Sequence, residues 1–427
     1  MVWGDIPYWT VVDRAAARFI EALCEGKPIV DAIEAIPTKD RSPGIERDAA
    51  RIAISLRRAG VLAGRRLKPP KERIESISVN VTTRCNLRCS FCYNARRPVA
   101  SEELTADEMI EALESVRRWT AKGAMIALFG GEPTLEKDKT LALAEWARRR
   151  GFTAIMSTNG TLVDAQFAAR AAQVGLECQV SIDGPDATSH DAVRGAGTFE
   201  KAVAGTRRFV EAGAHTIISM VFHSGNVDSI PEYLRMAREL GVNEARFIPI
   251  KQVGGGTEYR VPDLAGVITQ VVELLDREPE LGALLGRDFV SILAQTCHAC
   301  AARQTCGTGS QTFLLDADGT VYPCINLAQP DMAVGNAKME PLRRIWVDSD
   351  RLTDVREKVS LSARHDTCGN CFIRHWCMGG CRGETYEVCG RLDRPSVTCK
   401  ENRASIIEMF WQLSRHPQLA RPGIKYC

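Results

Sequence analysis

The sequence predicts an α/β fold: a partial (β/α)6 barrel, preceded by a small winged-helix-like α+β module and followed by a cysteine-rich domain. Between residues 74 and 249, short apolar β-rich runs alternate with amphipathic helical stretches, which is typical of a parallel sheet. The segment before them has helical periodicity, and the segment after them is rich in Gly and Cys with weak helical signal. The 427 residues, 45% of them hydrophobic and 25% charged, are enough for two or three domains.

The N-terminal module is expected to occupy residues 1–70. Apolar residues recur at three- and four-residue spacing in three segments, which predicts helices over 11–26, 28–36 and 45–62. The stretch 65–73 is basic and interrupted by proline, so it suits an exposed linker. We therefore place a domain boundary near residue 70.

The barrel is expected to span residues 71–256, where six βα units follow one another. Six units are two short of a closed eight-fold barrel, so an open partial barrel is the better expectation. Three glycines at 254–256 end the region. The predicted strands are 74–81, 125–129, 153–157, 178–182, 216–221 and 245–249.

The rest of the chain divides into three parts. A bridging region, 257–296, contains one clear amphipathic helix around 263–278. The cysteine-rich domain, 297–402, includes a hairpin-like stretch that turns at Asp318-Gly319. A tail, 403–427, begins as an amphipathic helix.

Charge and cysteine content restrict the partners and the compartment. Lys and Arg number 55 against 53 Asp and Glu, a net charge of +2, so no strong field favours nucleic acid or an anionic membrane. The sequence has no run of apolar residues long enough to span a bilayer and no secretory start, which predicts a cytoplasmic protein. Of the 16 cysteines, ten lie between 297 and 399 and three between 85 and 92. Disulfides are rare in the cytoplasm, so clustered cysteines indicate metal sites.

The first cysteine group has the spacing C-x3-C-x2-C and directly follows the first predicted strand of the barrel. Iron–sulfur clusters normally take four thiolate ligands, so a loop with three leaves one iron for a substrate or cofactor. A zinc site is the alternative, but structural zinc takes four protein ligands and no histidine is nearby. The group consists of Cys85, Cys89 and Cys92.

This motif after the first strand of a βα repeat resembles the radical S-adenosylmethionine (SAM) superfamily. The resemblance implies that the amino and carboxylate groups of SAM bind the open iron. It also implies that one electron from the cluster cleaves the sulfonium to a 5′-deoxyadenosyl radical, which abstracts hydrogen from a substrate. The protein would then supply binding, orientation and exclusion of water.

Other motifs fall where the family has its cofactor contacts, at the carboxyl ends of strands. The resemblance implies that Glu132 accepts the methionyl ammonium, that Arg194 pairs with the carboxylate and that Phe91 lies near the adenine. For each polar residue, a loop or helix-cap role is the alternative. The remaining candidates are Tyr93, Gly130, Gly131, Ser157, Asn159, Ser181 and Asp183.

The second cysteine group resembles the SPASM domain, a C-terminal extension of radical enzymes that modify peptides and proteins. The resemblance implies two auxiliary 4Fe–4S clusters, hence three clusters in the chain. Zinc ribbons are the alternative, and Cys297 competes with Cys300 as first ligand, while Cys389 and Cys427 have no assigned role. The nearer cluster would be held by Cys300, Cys306, Cys324 and Cys381, and the farther one by Cys368, Cys371, Cys377 and Cys399.

The N-terminal helices resemble the peptide-recognition element of ribosomal peptide maturases, in which a leader peptide adds a strand to a small sheet. A DNA-binding helix-turn-helix is the alternative, but no helix in residues 11–62 is strongly basic. The resemblance thus implies a maturase that acts on a ribosomally made precursor peptide. Flavodoxin or ferredoxin would donate the electrons.

The product is expected to be an intramolecular cross-link, through a thioether, a C–C or an ether bond, because auxiliary clusters can accept the surplus electron of such an oxidation. Peptide epimerisation is an alternative, and so is a non-catalytic iron–sulfur redox sensor, which would not need a cofactor cradle. A sulfatase-maturing enzyme is a third. That family has an acidic base just after the hairpin cysteine, whereas Cys324 is followed by Ile325 and Asn326.

Overall fold

The structure is a computed structural model. It describes residues 1–3, 8–41, 43–62, 73–95, 97–285, 304–361, 365–416 and 419. Three cysteines considered above, Cys297, Cys300 and Cys427, lie outside the described residues.

The N-terminal module has its own hydrophobic core, built from three helices. Asp13 caps the first helix by accepting a hydrogen bond from the amide of Ala16. The core includes Phe19, Ile20 and Leu56. The three predicted helices are confirmed, as Arg14–Cys24, Ile29–Glu34 and Ile45–Arg58.

A short antiparallel hairpin, β1 (Val2–Trp3) with β2 (Tyr8–Trp9), completes this module. Its strands escaped the sequence analysis because two residues are too few to show alternation. The Trp9 ring stacks on Phe410, with 4.6 Å between centroids, so the hairpin packs against the C-terminal helix.

All six predicted barrel strands are confirmed, and they pair in parallel in chain order. The second begins earlier than predicted, because its polar start pairs at Thr120 before a register shift. The strands are β3 (Ile74–Asn80), β4 (Thr120–Phe129), β5 (Thr153–Thr158), β6 (Glu177–Ser181), β7 (Thr216–Phe222) and β8 (Glu244–Pro249).

Helices cover one face of this sheet, and the main hydrophobic core lies between the helices and the sheet. A capping box at Thr105 and Glu108 begins the first helix. The opposite face, which lines the barrel interior, has a small cluster of Ala127, Ile155 and Ile217. The helices are Ala106–Val116, Lys137–Arg149, Ala165–Gln173, Ala187–Arg194, Thr198–Glu211 and Ile230–Leu240.

The predicted C-terminal hairpin is confirmed as β9 (Thr312–Leu315) and β10 (Thr320–Tyr322), with Gly319 at φ +87° in its turn. Unexpectedly, β9 also pairs in parallel with β3, and β10 pairs with β11 (Gly335–Asn336). The described strands of barrel and hairpin therefore form one nine-stranded sheet, in the order β11-β10-β9-β3-β4-β5-β6-β7-β8.

The weak helical signal of residues 297–402 was misleading, because this region contains several short helices separated by Gly and Cys turns. The bridging helix and the C-terminal helix were predicted and are confirmed. Among the described residues, no helix is both long and apolar enough to cross a membrane. The helices after β8 are Leu264–Arg277, Leu342–Asp348, Asp350–Val359, Arg374–Cys377, Arg382–Cys389 and Cys399–Arg415.

Candidate active site and cluster-binding cysteines

The first three cysteines lie on the loop that follows β3, here called the cysteine loop (residues 81–95). Its base is fixed by Glu103, whose carboxylate accepts hydrogen bonds from the Thr82 hydroxyl at 3.0 Å and from the Thr83 amide and hydroxyl at 2.7 Å each. Cys85 is exposed, and Cys89 and Cys92 are half-buried. The loop therefore presents its thiols on a backbone anchored at one end.

The glycine turn after β4 lies directly against this loop. The amide of Gly131 donates to the Thr82 carbonyl and that of Glu132 to the Arg84 carbonyl, both at 2.8 Å. A Cβ atom on Gly131 would lie 2.8 Å from the amide nitrogen of Cys85, and closer still to the carbonyl oxygen of Arg84. In this structure, glycine is required here so that the turn can approach the cysteine loop.

A second glycine turn, residues 254–256 after β8, holds the other end of the loop. The amide of Gly255 donates to the Cys92 carbonyl at 2.9 Å. Gly254 has φ +57°, and a Cβ there would lie 2.7 Å from the Cys92 carbonyl oxygen and 2.6 Å from that of Tyr93. From the sequence, these glycines were expected only to end the barrel. Their position after a strand, like that of Gly130 and Gly131, was the available signal.

Glu132 is 1% exposed, and its carboxylate accepts four hydrogen bonds from neighbouring residues. One oxygen accepts from the amide and hydroxyl of Thr134, at 2.9 and 2.6 Å, and from the Thr158 hydroxyl at 2.6 Å. The other accepts from the Asn159 amide at 2.7 Å. Asn159 in turn donates to Asn86 of the cysteine loop at 2.9 Å. The carboxylate thus joins the ends of β4 and β5, and its expected contact with the methionyl ammonium remains a prediction.

Asp183 and Arg194 form a buried ion pair beside the cysteine loop. The other Asp183 oxygen accepts from the Val221 amide at 2.7 Å. Burial lowers the pKa of Arg194, but the charge and hydrogen bond of Asp183, together with the charges of Cys89 and Cys92, raise it overall. The guanidinium also lies 3.8 Å from the Cys89 sulfur and 5.6 Å from the centre of the Phe91 ring. The structure therefore brings together four of the predicted site residues.

The other predicted residues surround this centre. Ser157 and Ser181 are half-buried on β5 and β6, and Ser157 accepts a hydrogen bond from Gln179 at 3.4 Å. Phe91 is 8% exposed and meets Tyr259 edge-on, with 5.9 Å between centroids. Burial raises the pKa of Tyr93.

Tyr259 and His223 also belong to this neighbourhood, although the sequence analysis did not select them. The Tyr259 hydroxyl lies 2.6 Å from that of Ser90 in the cysteine loop, and its ring lies 4.7 Å from the His223 ring. Both residues follow barrel strands, which was the only signal in the sequence. The aromatic wall of the site thus comes from loops after β3, β7 and β8.

Within each predicted set of cysteines, the negative charge of one thiolate raises the pKa of a neighbouring thiol. Burial raises the pKa of Cys85 to about 11, and the charges of Cys89 and Cys92 add to the effect. Such thiols are neutral at pH 7, so binding to iron would release protons. The three cysteines therefore fit a shared cluster that they would bind as thiolates.

Among the described C-terminal cysteines, the charges that act on Cys324 and on Cys377 come from members of the same predicted set, and the ligand assignment itself stays a prediction. Burial raises the pKa of Cys324 to about 12, with further contributions from Cys381 and Cys306. Cys300 of the same predicted set lies outside the described residues. In the second group, burial raises the pKa of Cys377 to about 11, and the neighbouring charges that raise it further are those of Cys399, Cys368 and Cys371.

Among the described side chains, no three or more His, Cys, Asp or Glu are close enough together to bind one metal ion. A 4Fe–4S cluster attaches each thiolate to a different iron, so its ligands stand farther apart than those of one zinc ion. Cys389, left over in the sequence, is exposed at the end of its helix.

A cavity of about 450 Å³ lies between the cysteine loop and the C-terminal region. Tyr93 and Arg97 line it from the cysteine-loop side, and Tyr322 and Ile325, which flank Cys324 in the sequence, from the other. Arg97 forms an ion pair with Asp316, whose side chain is buried in the wall. The cavity therefore touches residues next to both Cys92 and Cys324.

Two family models match the chain: the Radical SAM superfamily at residues 79–237, and SPASM, an iron–sulfur cluster-binding domain, at residues 306–372. The chain is 28% identical to the mycofactocin maturase MftC of Mycobacterium tuberculosis over 349 residues, which are 80% of this chain and 85% of that protein. It is 30% identical to the pre-heme d1 synthase of Dinoroseobacter shibae over 341 residues, 73% and 82% of the two chains. The structure of Streptococcus suis SuiB bound to S-adenosylmethionine has a similar fold, with a TM-score of 0.61, 16% identity, and coverage of 91% and 93%.

Proposed function

The chain belongs to the radical SAM superfamily, and from this premise we propose that it is a peptide maturase that cross-links a residue of a ribosomally made precursor. As a radical SAM enzyme with a SPASM domain, it binds SAM and 4Fe–4S clusters. When bound, SAM and the catalytic cluster supply a 5′-deoxyadenosyl radical for hydrogen abstraction. Three clusters are proposed, one catalytic and two auxiliary.

The chain's own residues would hold and orient these groups. Cys85, Cys89 and Cys92 would bind the catalytic cluster on a loop fixed by the two glycine turns. Arg194 would donate hydrogen bonds to the SAM carboxylate while Asp183 holds its guanidinium in place. Phe91 would cover the adenine. Asp183 neutralises the charge of Arg194, which weakens the long-range attraction between Arg194 and the SAM carboxylate. The ion pair would therefore orient the carboxylate more than attract it.

The cavity beside Tyr93 is the observation that supports a large substrate. It reaches from the cysteine loop to the surroundings of Cys324, so a peptide segment in it would meet both a radical source and an electron acceptor. An oxidation that forms a new bond releases two electrons and two protons. The substrate loses one hydrogen atom to the radical; the second electron would pass to an auxiliary cluster and the second proton to solvent.

The N-terminal module supports a peptide partner independently. It folds around its own core and leaves three large apolar side chains exposed, at Ile29 (43%), Val30 (67%) and Ile54 (52%). The β1–β2 hairpin offers strand edges to which a leader peptide could add. The names of two similar proteins agree with this proposal, since MftC is a maturase and a further SuiB structure is bound to the precursor peptide SuiA.

The pre-heme d1 synthase relative, at 30% identity, favours a second candidate, modification of a tetrapyrrole. The two candidate functions differ in whether they require the N-terminal module to bind a leader peptide. A tetrapyrrole needs no leader-binding surface, whereas a precursor peptide does. Sulfatase maturation is less favoured, because the residue next to Cys324 is not acidic.

The test uses the full-length, anaerobically reconstituted protein and the peptide encoded by a short reading frame next to its gene. We expect mass spectrometry to find the peptide lighter by two hydrogens, with fragmentation blocked across the linked residues. An unchanged peptide together with turnover of an iron porphyrin would instead favour the second candidate. A mass gain of deuterium in heavy water without loss of hydrogen would indicate epimerisation.

A further inference from the structure

A lysine and a glutamate connect the barrel to the nearer auxiliary-cluster cysteines. Lys251 lies on the loop after β8, just before the glycine turn that holds the cysteine loop. Its ammonium is 3.4 Å from a carboxylate oxygen of Glu384. Glu384 also accepts a hydrogen bond from the Gln252 amide at 3.0 Å. The contact therefore fixes the 251–252 segment to the helix Arg382–Cys389.

Glu384 is part of the same structural unit as Cys381. Cys381 is the N-cap residue of this helix, and its carbonyl accepts hydrogen bonds from the amide and hydroxyl of Thr385, at 3.3 and 3.0 Å. The side chain of Glu384 is 2% exposed, whereas that of Lys251 is 35% exposed. A buried carboxylate thus positions a cation that stays partly solvated.

The ion pair lies one helical turn from Cys381, because Glu384 follows Cys381 by three residues in this helix. Asn326 donates to the Cys381 sulfur, at 3.6 Å. Positive charge and hydrogen bonds near cluster sulfurs stabilise the reduced form, which has the more negative charge.

We propose that Lys251, held by Glu384, is a positioning residue that raises the reduction potential of the nearer auxiliary cluster and so makes it the first acceptor of the substrate electron. This inference rests on the proposed cluster ligands Cys306, Cys324 and Cys381. The Lys251 loop also reaches the catalytic side, since Gly255 four residues later binds the Cys92 carbonyl. One loop therefore contacts both the cysteine loop and the helix that begins next to Cys381.

The proposal predicts shifts of opposite sign for the two partners. In K251M the cation is lost, so the reduced cluster is destabilised and the midpoint potential falls. In E384Q the neutralising charge is lost while the amide oxygen can still accept from Gln252, so the potential rises. K251R keeps the charge and stays near the wild-type value. We expect K251M to change the one-electron equilibrium at least tenfold, which is about 59 mV.

The measurement is an EPR-monitored redox titration of full-length protein with reconstituted clusters. A C89A background removes the catalytic cluster signal, and the nearer auxiliary cluster is identified as the signal lost on adding C324A. K358M is the matched control, because Lys358 forms an exposed ion pair with Asp354 on a helix of the same region. It is expected to leave the potential unchanged.

Two results would overturn the proposal. If K251M and E384Q leave the midpoint unchanged, or shift it in the same direction, the pair does not set the potential. If C324A removes no cluster signal, the ligand assignment beneath the proposal is itself wrong. Iron content and peptide mass, measured on the same samples, separate this second failure from failure of the proposed maturase activity.

Discussion

Replacing Gly131 with Ala perturbs the contact that fixes the cysteine loop. The new Cβ would lie 2.8 Å from the Cys85 amide nitrogen, whereas ordinary contacts begin at 3.4 Å, so the loop would have to retreat by more than half an ångström. Overpacking of this kind costs about 1–3 kcal/mol. The adjoining hydrogen bonds to Thr82 and Arg84 would stretch, at about 1 kcal/mol each. We therefore expect a destabilisation of about 3–5 kcal/mol.

Urea unfolding of the apo protein measures this change, and iron content with SAM cleavage measures its effect on the site. G131A should lose most of the catalytic iron, because displacement of Cys85 separates it from Cys89 and Cys92. G282A is the matched control, since a Cβ there meets only Leu275 at 3.8 Å. A G131A protein with full stability, iron and cleavage activity would refute the role given to this glycine.

Three further predictions concern other parts of the molecule. R194M leaves the buried Asp183 carboxylate unpaired and should destabilise the apo protein by about 3–5 kcal/mol in urea unfolding, while D183N/R194M recovers part of the loss. Burial lowers the pKa of His190 to about 4 from 6.5. The unfolded chain therefore binds a proton that the folded chain does not, and stability should fall by up to about 3 kcal/mol as pH drops from 6.5 to 4. H190N should lose this dependence, and an unchanged pH profile would contradict the assignment. V30D should weaken precursor binding at least tenfold in calorimetry and leave SAM cleavage intact; equal affinity would exclude this surface.

The alternation of apolar runs and helices was sufficient to predict the barrel, because parallel strands buried on both faces stand out in a sequence. The pairing of β9 with β3 could not be predicted from the sequence. It joins strands more than two hundred residues apart, and no local pattern specifies such a neighbour. The β1–β2 hairpin was missed for the opposite reason, since strands of two residues leave no periodic signal.

The residues of the candidate site that belong to motifs with a fixed sequence spacing could be predicted. Cys89 and Arg194 were both selected from the sequence, and in the structure the Arg194 guanidinium lies 3.8 Å from the Cys89 sulfur. The sequence did not show that Glu132 is enclosed by Thr134, Thr158 and Asn159, because these contacts depend on how two strand ends meet. Lys251 and Glu384 were missed because they lie 133 positions apart and belong to no motif.

The central claim is that three thiols bind a cluster with one iron left open for SAM. The most direct measurement is SAM cleavage by the reconstituted, dithionite-reduced protein, compared between wild type and C89A. We predict 5′-deoxyadenosine from the wild type and none from C89A, while Mössbauer spectra of C89A retain the auxiliary clusters. Cleavage that persists in C89A, or zinc in place of iron at Cys85, Cys89 and Cys92, would contradict the claim.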